Sequence, residues 1–341
     1  MTAEQLKVAL IGAGRIGRLH ARHLTTRIPR VRLLAVADAC LEAAESCARE
    51  YGIARYCPDY REVLADPQVE AVLVCSPTST HARLIEEAAH AGKHVFCEKP
   101  LALDLQAIDQ ALAAVERAGV KLQIGFNRRF DANFRRVRQA VEQGEIGLPL
   151  MLHITSRDPA PPPVDYLRVS GGLFLDMTIH DFDMARFLLA SEVEEVFALA
   201  HSLNEPEIAM VGDVAHAAVT LRFVNGTIAT ISNSRRASYG YDQRVELLGS
   251  EGSIAVDNVY PNTALISDRH GVRRDLPLPF FMERYGESFA AELQAFVEAV
   301  LDNRPVPVSG HDGRISVAIA LAAQRSLLEH RPVPLREVAW M

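Results

Sequence analysis

At 341 residues, with 49% hydrophobic residues and a formal net charge of −7 at pH 7, the chain exceeds what one ordinary core absorbs and reads as a two-domain globular protein. The acidic balance gives a nucleic-acid partner no electrostatic footing. No apolar run approaches the ~20 residues of a membrane span, and no basic region precedes an apolar core at the N-terminus, so a cytoplasmic protein without a membrane partner is expected.

Leu6-Lys7-Val8-Ala9-Leu10-Ile11 is a β-rich run that feeds into Gly12-Ala13-Gly14-Arg15-Ile16-Gly17 and then a helical pattern through Leu24. A glycine-rich hexapeptide alone is weak evidence, but strand, tight turn and helix together are the context a dinucleotide fingerprint requires. Its glycines let backbone approach a pyrophosphate at the helix N-terminus, which assigns Gly12, Gly14, Arg15, Ile16 and Gly17 to the cofactor. A second strand, 31–37, ends at Asp38, where this fold places the carboxylate that holds the adenosine ribose. That charge repels a 2′-phosphate, and Ala39-Cys40-Leu41 supplies no Arg or Lys to offset the repulsion. NAD is therefore expected over NADP.

The alternation continues through helix 41–51, a strand near 54–57, helix 59–64 and strand 70–75, which predicts a doubly wound parallel sheet with helices on both faces. Ser76, Pro77, Thr78 and His81 follow a strand's C-terminal end, where open α/β sheets bind ligands. They are expected on the cofactor side, with His81 opening a helix that runs to 91. Strand 93–97 leads into Glu98-Lys99-Pro100. The proline stiffens this turn, and its position sets Glu98 and Lys99 toward the nicotinamide end of a cofactor. In an arbitrary place the same Lys-Pro reads as a surface turn. Helix 104–118 and strand 121–125 complete a Rossmann domain over 1–125. Cys40, Cys47, Cys57, Cys75 and Cys97 are odd in number and lack metal-ligand spacing, so reduced thiols and no metal site are expected.

From 126 to 341 the character changes to a second, α+β domain. One helix, 130–143, precedes period-two runs at 150–155, 193–201, 216–223, 227–232, 245–248, 253–256, 264–267 and 272–276, and helices return at 283–301 and 311–330. A largely antiparallel open sheet with helices on one face is expected. In 193–201, Val196, Ala198 and Ala200 oppose Phe197 and Leu199. Both faces are thus apolar, and a second covering layer is implied, either a loop or a neighbouring chain. Pro161-Pro162-Pro163 reads as a stiff loop. Beside it, Arg157 and Asp158 reach a substrate or form a structural ion pair. Of Arg128 and Arg129, one is expected to line a cleft and the other to face solvent.

Between these strands, 171–189 has the spacing of a buried helix. At about 100° per residue, Asp176, His180 and Asp183 share one stripe, and Leu173, Leu175, Ile179, Phe182, Met184, Phe187 and Leu188 cover the remaining circumference. Two readings fit. In the first, Asp176 complements the helix N-terminus, His180 bonds within the core and Asp183 reaches solvent. In the second, the stripe faces a cavity that uses its ionisable groups.

Gly125-Phe126-Asn127-Arg128-Arg129-Phe130-Asp131, Ser156-Arg157-Asp158-Pro159, Asp176-Met177-Thr178-Ile179-His180-Asp181-Phe182-Asp183 and Tyr239-Gly240-Tyr241-Asp242-Gln243-Arg244 resemble the inositol 2-dehydrogenase branch of the GFO/IDH/MocA oxidoreductases, as do the glycine-rich turn and Glu98-Lys99-Pro100. The resemblance runs over essentially the whole chain. It implies NAD-dependent oxidation of a cyclic polyol, Lys99, Asp176 and His180 as the catalytic set, and a homotetramer joined through the open sheet face. Proton removal from a secondary alcohol needs a base near neutrality, which suits His180; Asp176 can orient its imidazole, and Lys99 can donate to the reacting oxygen. Asn127, Arg129, Asp158, Asp183 and Tyr239 are then candidates for the remaining hydroxyls. Neighbouring alternatives are a dehydrogenase for scyllo-inositol, glucose or xylose, a glycosidase with tightly held NAD, and a non-catalytic NAD-binding regulator. The last should lack part of the Lys/Asp/His set, all of which is present here.

Overall fold

A computed structural model describes residues 4–339. They form two compact units, one reaching to Asn127 and resumed over Glu287–Val317, the other comprising Arg128–Gly286 and the chain from Ala318 onward.

In the first unit, β1 (Leu6–Ile11), β2 (Val31–Ala37), β3 (Arg55–Cys57), β4 (Ala71–Val74), β5 (His94–Glu98) and β6 (Leu122–Gly125) build a parallel six-stranded sheet in the order β3-β2-β1-β4-β5-β6. Every residue of β4 and β6 is buried, as a sheet covered on both faces requires. The strand order reverses between β1 and β4, and the crevice beyond their C-terminal ends is where such sheets take ligands. The amphipathic helices Arg15–Thr26, Leu41–Tyr51, His81–His90 and Leu105–Ala118 alternate with these strands. Asp104 caps the last of them, accepting from Ala107 N at 2.8 Å, and Gly119 ends it in the left-handed region.

A division at 125/126 puts everything downstream into the second domain. The structure instead returns Glu287–Val317 to the first unit. Leu293, Phe296 and Val297 of helix Gly286–Leu301 enter the same core as Leu10, Leu73 and Phe96. An amphipathic helix advertises its apolar face but not which sheet will cover it.

The second unit carries β7 (Pro149–Arg157), β8 (Val193–His201), β9 (His216–Phe223), β10 (Ile228–Ser234), β11 (Asp242–Gly249) and β12 (Ser253–Val256). After the separate hairpin of β13 (Ile266–Asp268) and β14 (Gly271–Arg273), β15 (Val333–Pro334) completes a seven-stranded sheet in the order β12-β11-β7-β10-β9-β8-β15. Its neighbours pair antiparallel except β7 and β10, which run parallel. The runs expected at 264–267 and 272–276 thus form an exposed ribbon outside the main sheet. Helix 283–301 divides at Tyr285 into Phe281–Arg284 and Gly286–Leu301. Short elements at Val164–Leu167, Pro206–Met210 and Arg336–Ala339 are too brief for their periodicity to stand out.

Burial along β9 alternates strictly, the signature of one packed and one open face. On the packed side of β8, Val196 and Ala198 are buried; on the open side Leu199 is 55% exposed, and Met151, Ile228 and Leu248 stand directly opposite one another in neighbouring strands. Among the described residues no helix is long and apolar enough to cross a membrane.

Candidate active site

The glycine-rich turn is shaped by close approach. Gly12 has φ +102°, and a Cβ there would lie 2.6 Å from the carbonyl of Cys75; a Cβ on Gly17 would lie 1.9 Å from Gly12 O. Gly14, by contrast, meets nothing within 4 Å. It caps helix Arg15–Thr26, so open space lies beside a helix N-terminus, the kind of position that receives an anionic group. Asp38 braces this loop: Oδ2 accepts from Ala13 N at 2.7 Å and Oδ1 from Cys40 N at 2.9 Å.

Beyond β4, Ser76 and Pro77 lead into the 3-10 turn Thr78–Thr80, with the Ser76 and Thr80 hydroxyls 2.6 Å apart. His81 opens the next helix, as expected, and its ring is buried between two loops. Nδ1 lies 2.7 Å from Pro100 O and Nε2 2.8 Å from Ser76 O. Burial holds its pKa below the ordinary histidine value. His81 is thus a structural staple between the end of β4 and the segment that follows Lys99. Lys99 itself is half-buried. Glu98 departs from expectation: its carboxylate turns into the interior, 2.6 Å from His20 Nε2, and a Cβ on Gly125 would crowd it at 3.1 Å. Asn127 is buried at the start of the turn Asn127–Phe130.

In the second unit, Gly171 and Gly172 have φ +84° and +83°. Asp213 Oδ1 takes the Leu173 N–H at 2.9 Å, and a Cβ on Gly172 would lie 2.9 Å from the same oxygen. The segment that follows is not one uniform α-helix. Phe174–Thr178 is a π-helix, and the α-helix begins only at Ile179–Leu189. The wider i→i+5 turn moves Asp176 off the line on which a regular helix would stack it with His180 and Asp183, and such turns concentrate at functional sites.

Each acid of this segment is held by partners distant in sequence. Asp176 Oδ1 accepts from Tyr166 OH at 2.7 Å and Oδ2 from Arg235 Nη1 at 3.0 Å. Arg235, only 1% exposed, also reaches Asp213 Oδ2 at 3.2 Å. Asp181 is fully buried and accepts from Arg128 Nη1 at 2.6 Å and Asn233 Nδ2 at 2.7 Å, while burial raises its pKa. Asp183 and Arg129, both expected to meet substrate, meet each other in a bidentate pair at 2.6 and 2.8 Å. Neither Arg128 nor Arg129 is a solvent-facing charge. Arg157 donates to Tyr239 OH at 2.9 Å and to Ser232 Oγ at 3.1 Å, and Tyr239 OH donates to Asp242 Oδ2 at 2.7 Å. Asp158 joins the sheet through its backbone, N to Ser234 O at 2.8 Å.

Tyr166, Asp181, Asp213, Asn233 and Arg235 are the site residues that sequence reasoning missed. Asp181 carried a signal, since His180-Asp181-Phe182-Asp183 alternates acids around the helix. The others sit alone in unremarkable surroundings.

Comparison with known proteins bears on both units. Residues 6–126 match the family described as "Oxidoreductase family, NAD-binding Rossmann fold" and residues 134–255 match the "GFO/IDH/MocA C-terminal domain". The myo-inositol 2-dehydrogenase of Thermotoga maritima is 49% identical over 333 residues, 98% of this chain and 99% of its own. The crystal structure of a probable dehydrogenase from Thermotoga maritima superposes with a TM-score of 0.96 at 49% identity, covering 98% of this chain and 100% of that one. A scyllo-inositol dehydrogenase from Lactobacillus casei, solved with NAD(H) and scyllo-inositol, has a TM-score of 0.91 at 30% identity and covers 98% and 100% of the two chains. The chain belongs to the GFO/IDH/MocA family of oxidoreductases.

Proposed function

We propose that this protein is an NAD-dependent inositol 2-dehydrogenase that oxidises myo-inositol to 2-keto-myo-inositol. The observation that carries the reading is the 49% identity to a myo-inositol 2-dehydrogenase along nearly the whole of both chains. The first unit fits the cofactor: open space at Gly14 receives the pyrophosphate, and Asp38, already aligned by two backbone N–H groups, takes the ribose hydroxyls. Bound NAD supplies the hydride acceptor.

The chain's own residues handle the proton and the oxygen. His180 takes the hydroxyl proton, and Lys99 donates a hydrogen bond to the same oxygen as alkoxide character develops. Asp176, fixed by Tyr166 and Arg235, places a negative charge on the helix that carries His180, which favours the imidazolium formed on proton transfer. Asn127, Arg129, Asp158, Asp183 and Tyr239 bind the remaining hydroxyls. The carboxylates accept from, and the arginines donate to, the hydroxyls of a neutral polyol, and the carboxylates disfavour a phosphorylated one by repulsion.

The enzyme acts in the cytoplasm, in inositol catabolism, as a homotetramer. The apolar row of Met151, Ile228 and Leu248, with Leu199, on the open sheet face supports a subunit interface there. Sedimentation of the purified protein tests the assembly.

The deciding assay follows NADH formation with NAD or NADP against myo-inositol, scyllo-inositol, D-chiro-inositol, glucose and xylose. NAD-linked turnover on myo-inositol above the others is expected. Preferred turnover on another polyol keeps the mechanism and discards the substrate. Hydrolysis of a glycoside without NADH accumulation overturns the dehydrogenase reading.

A further inference from the structure

The first unit contains a sealed ionisable cluster that the proposed chemistry leaves unused. His20 on helix Arg15–Thr26, Glu98 at the end of β5 and Glu292 on helix Gly286–Leu301 are 0%, 8% and 0% exposed. Their ligand atoms all lie within 4.8 Å of one another. The His20 ring packs edge-on against Phe96 and Phe289, at 5.3 and 5.8 Å between centroids. Its Nε2 shares one hydrogen with Glu98 Oε1 across 2.6 Å. Nδ1 of His20 and both carboxyl oxygens of Glu292 have no hydrogen-bond partner among the described atoms.

Charge counting then constrains the protons. The ionisable groups facing Glu292 are His20 from the helix, Glu98 from β5 and the buried thiol of Cys75, while the buried Cys97 thiol faces Glu98. Of these, the imidazole alone can be cationic, and it already meets Glu98. A second ionised carboxylate in this apolar enclosure would be a buried charge with no counter-ion, which proteins avoid by keeping the proton. Burial, with the Glu98 charge beside it, pushes the Glu292 carboxyl well above the ordinary range and the two thiols above theirs.

We propose that Glu292 is a neutral carboxylic acid in the folded protein and that the His20–Glu98–Glu292 cluster is a positioning device for Lys99. Successive residues at a strand end point to opposite sides. Pinning the Glu98 side chain in the core therefore directs Lys99 outward, and this second part rests on the reading that Lys99 serves the reaction.

The test uses Glu292→Gln, His20→Gln and His20→Leu in the full chain. Glu292→Gln keeps a neutral group of the same shape. At pH ~8 the infrared band of a protonated carboxyl should be present in the parent protein and missing from this variant. The folded parent keeps a proton that its unfolded chain releases, so its folding equilibrium constant should fall with rising pH by about tenfold more per pH unit than that of Glu292→Gln. A missing band, or equal pH slopes, overturns the neutral acid. So does a stoichiometric metal ion that is present in the purified parent and lost from the variant, which makes the cluster a cation site. His20→Gln retains a donor where Nε2 stood; His20→Leu does not. The Leu variant should lose about tenfold or more in kcat with little change in KM for NAD, and the Gln variant should recover most of the loss. Equal kcat in the two variants, or a loss confined to KM, overturns the positioning role. If the parent oxidises no polyol, the proposed function falls, while the infrared and pH measurements still decide the state of Glu292.

Discussion

Asp38 offers the sharpest test of the cofactor reading, because one charge is asked to favour NAD and to exclude NADP. Its two oxygens accept the N–H groups of Ala13 and Cys40 at 2.7 and 2.9 Å, so the carboxylate is fixed before any ligand arrives. Asp38→Asn removes the charge and changes the side-chain volume little. One of those two N–H groups then faces an amide instead of an oxygen, and the ribose contact changes from charge-assisted to neutral. Hydrogen bonds to charged groups contribute about 1.5–3 kcal/mol against about 0.5–1.5 for neutral ones. A loss near 1–2 kcal/mol follows, or about 5- to 30-fold in kcat/KM with NAD. For NADP the sign reverses. Two like charges about 4 Å apart at an effective dielectric of about 20 repel by about 4 kcal/mol before screening. Recovering half of that raises kcat/KM with NADP about 30-fold. The NAD-over-NADP preference should therefore fall by two to three orders of magnitude, read from initial rates with each cofactor at fixed polyol. Fluorescence titration of each cofactor separates binding from turnover. A preference unchanged within about threefold, in a variant that still binds NAD, refutes the placement of the ribose site.

Three further outcomes are expected. His180→Ala should lower kcat by about 10²- to 10⁴-fold while leaving the NAD dissociation constant nearly unchanged; loss of both would indicate misfolding. Arg235→Leu leaves Asp176 and Asp213 without their shared partner, and breaking such a buried pair costs about 3–5 kcal/mol. Denaturant unfolding should show that loss, and a variant as stable as the parent would remove Arg235 from the architecture of the site. His23 is buried, neither ring nitrogen has a hydrogen-bond partner among the described residues, and burial lowers its pKa from 6.5 to about 4. The unfolded chain therefore takes up a proton that the folded one refuses, and stability declines as pH falls from 6.5 toward 4. His23→Leu should flatten that slope, and an unaltered acid profile would assign the decline to other groups.

How much of this was legible depends on the distance over which a pattern speaks. In the first unit, strand and helix limits follow local signals: apolar runs between turns, Asp104 at a helix start, Gly119 at its end. The glycine-rich turn is equally local, and Gly12 and Gly17 make the close backbone approach that their spacing predicts. The return of helix Gly286–Leu301 to this core was not legible, because its periodicity is the same whichever sheet it covers. Glu98 was misread for a related reason. Its place in the chain is that of a cofactor residue, but His20 and Gly125, remote in sequence, draw its side chain inward.

The acids around His180 carry the same lesson to the chemistry. Read as an isolated helix, Asp176, His180 and Asp183 form a polar stripe that either faces a cavity or is satisfied locally, with Asp183 reaching solvent. In the folded unit Asp176 answers Arg235, Asp181 answers Arg128, and Asp183 answers Arg129. Buried ion pairs add little net stability, because desolvation offsets most of their attraction. What they supply is geometry: three pairs along one short segment restrain its rotation, together with the π-turn at Phe174–Thr178. The carboxylates thus serve to fix the helix. A base that must approach one hydroxyl of a ring bearing several similar ones gains selectivity from such rigidity, since a misplacement of about 1 Å can lower the rate about 100-fold. Substitutions at Arg128, Arg129 or Arg235, which hold the helix, are therefore expected to shift the ratio of turnover on myo-inositol and scyllo-inositol, and an unchanged ratio in folded variants refutes the argument.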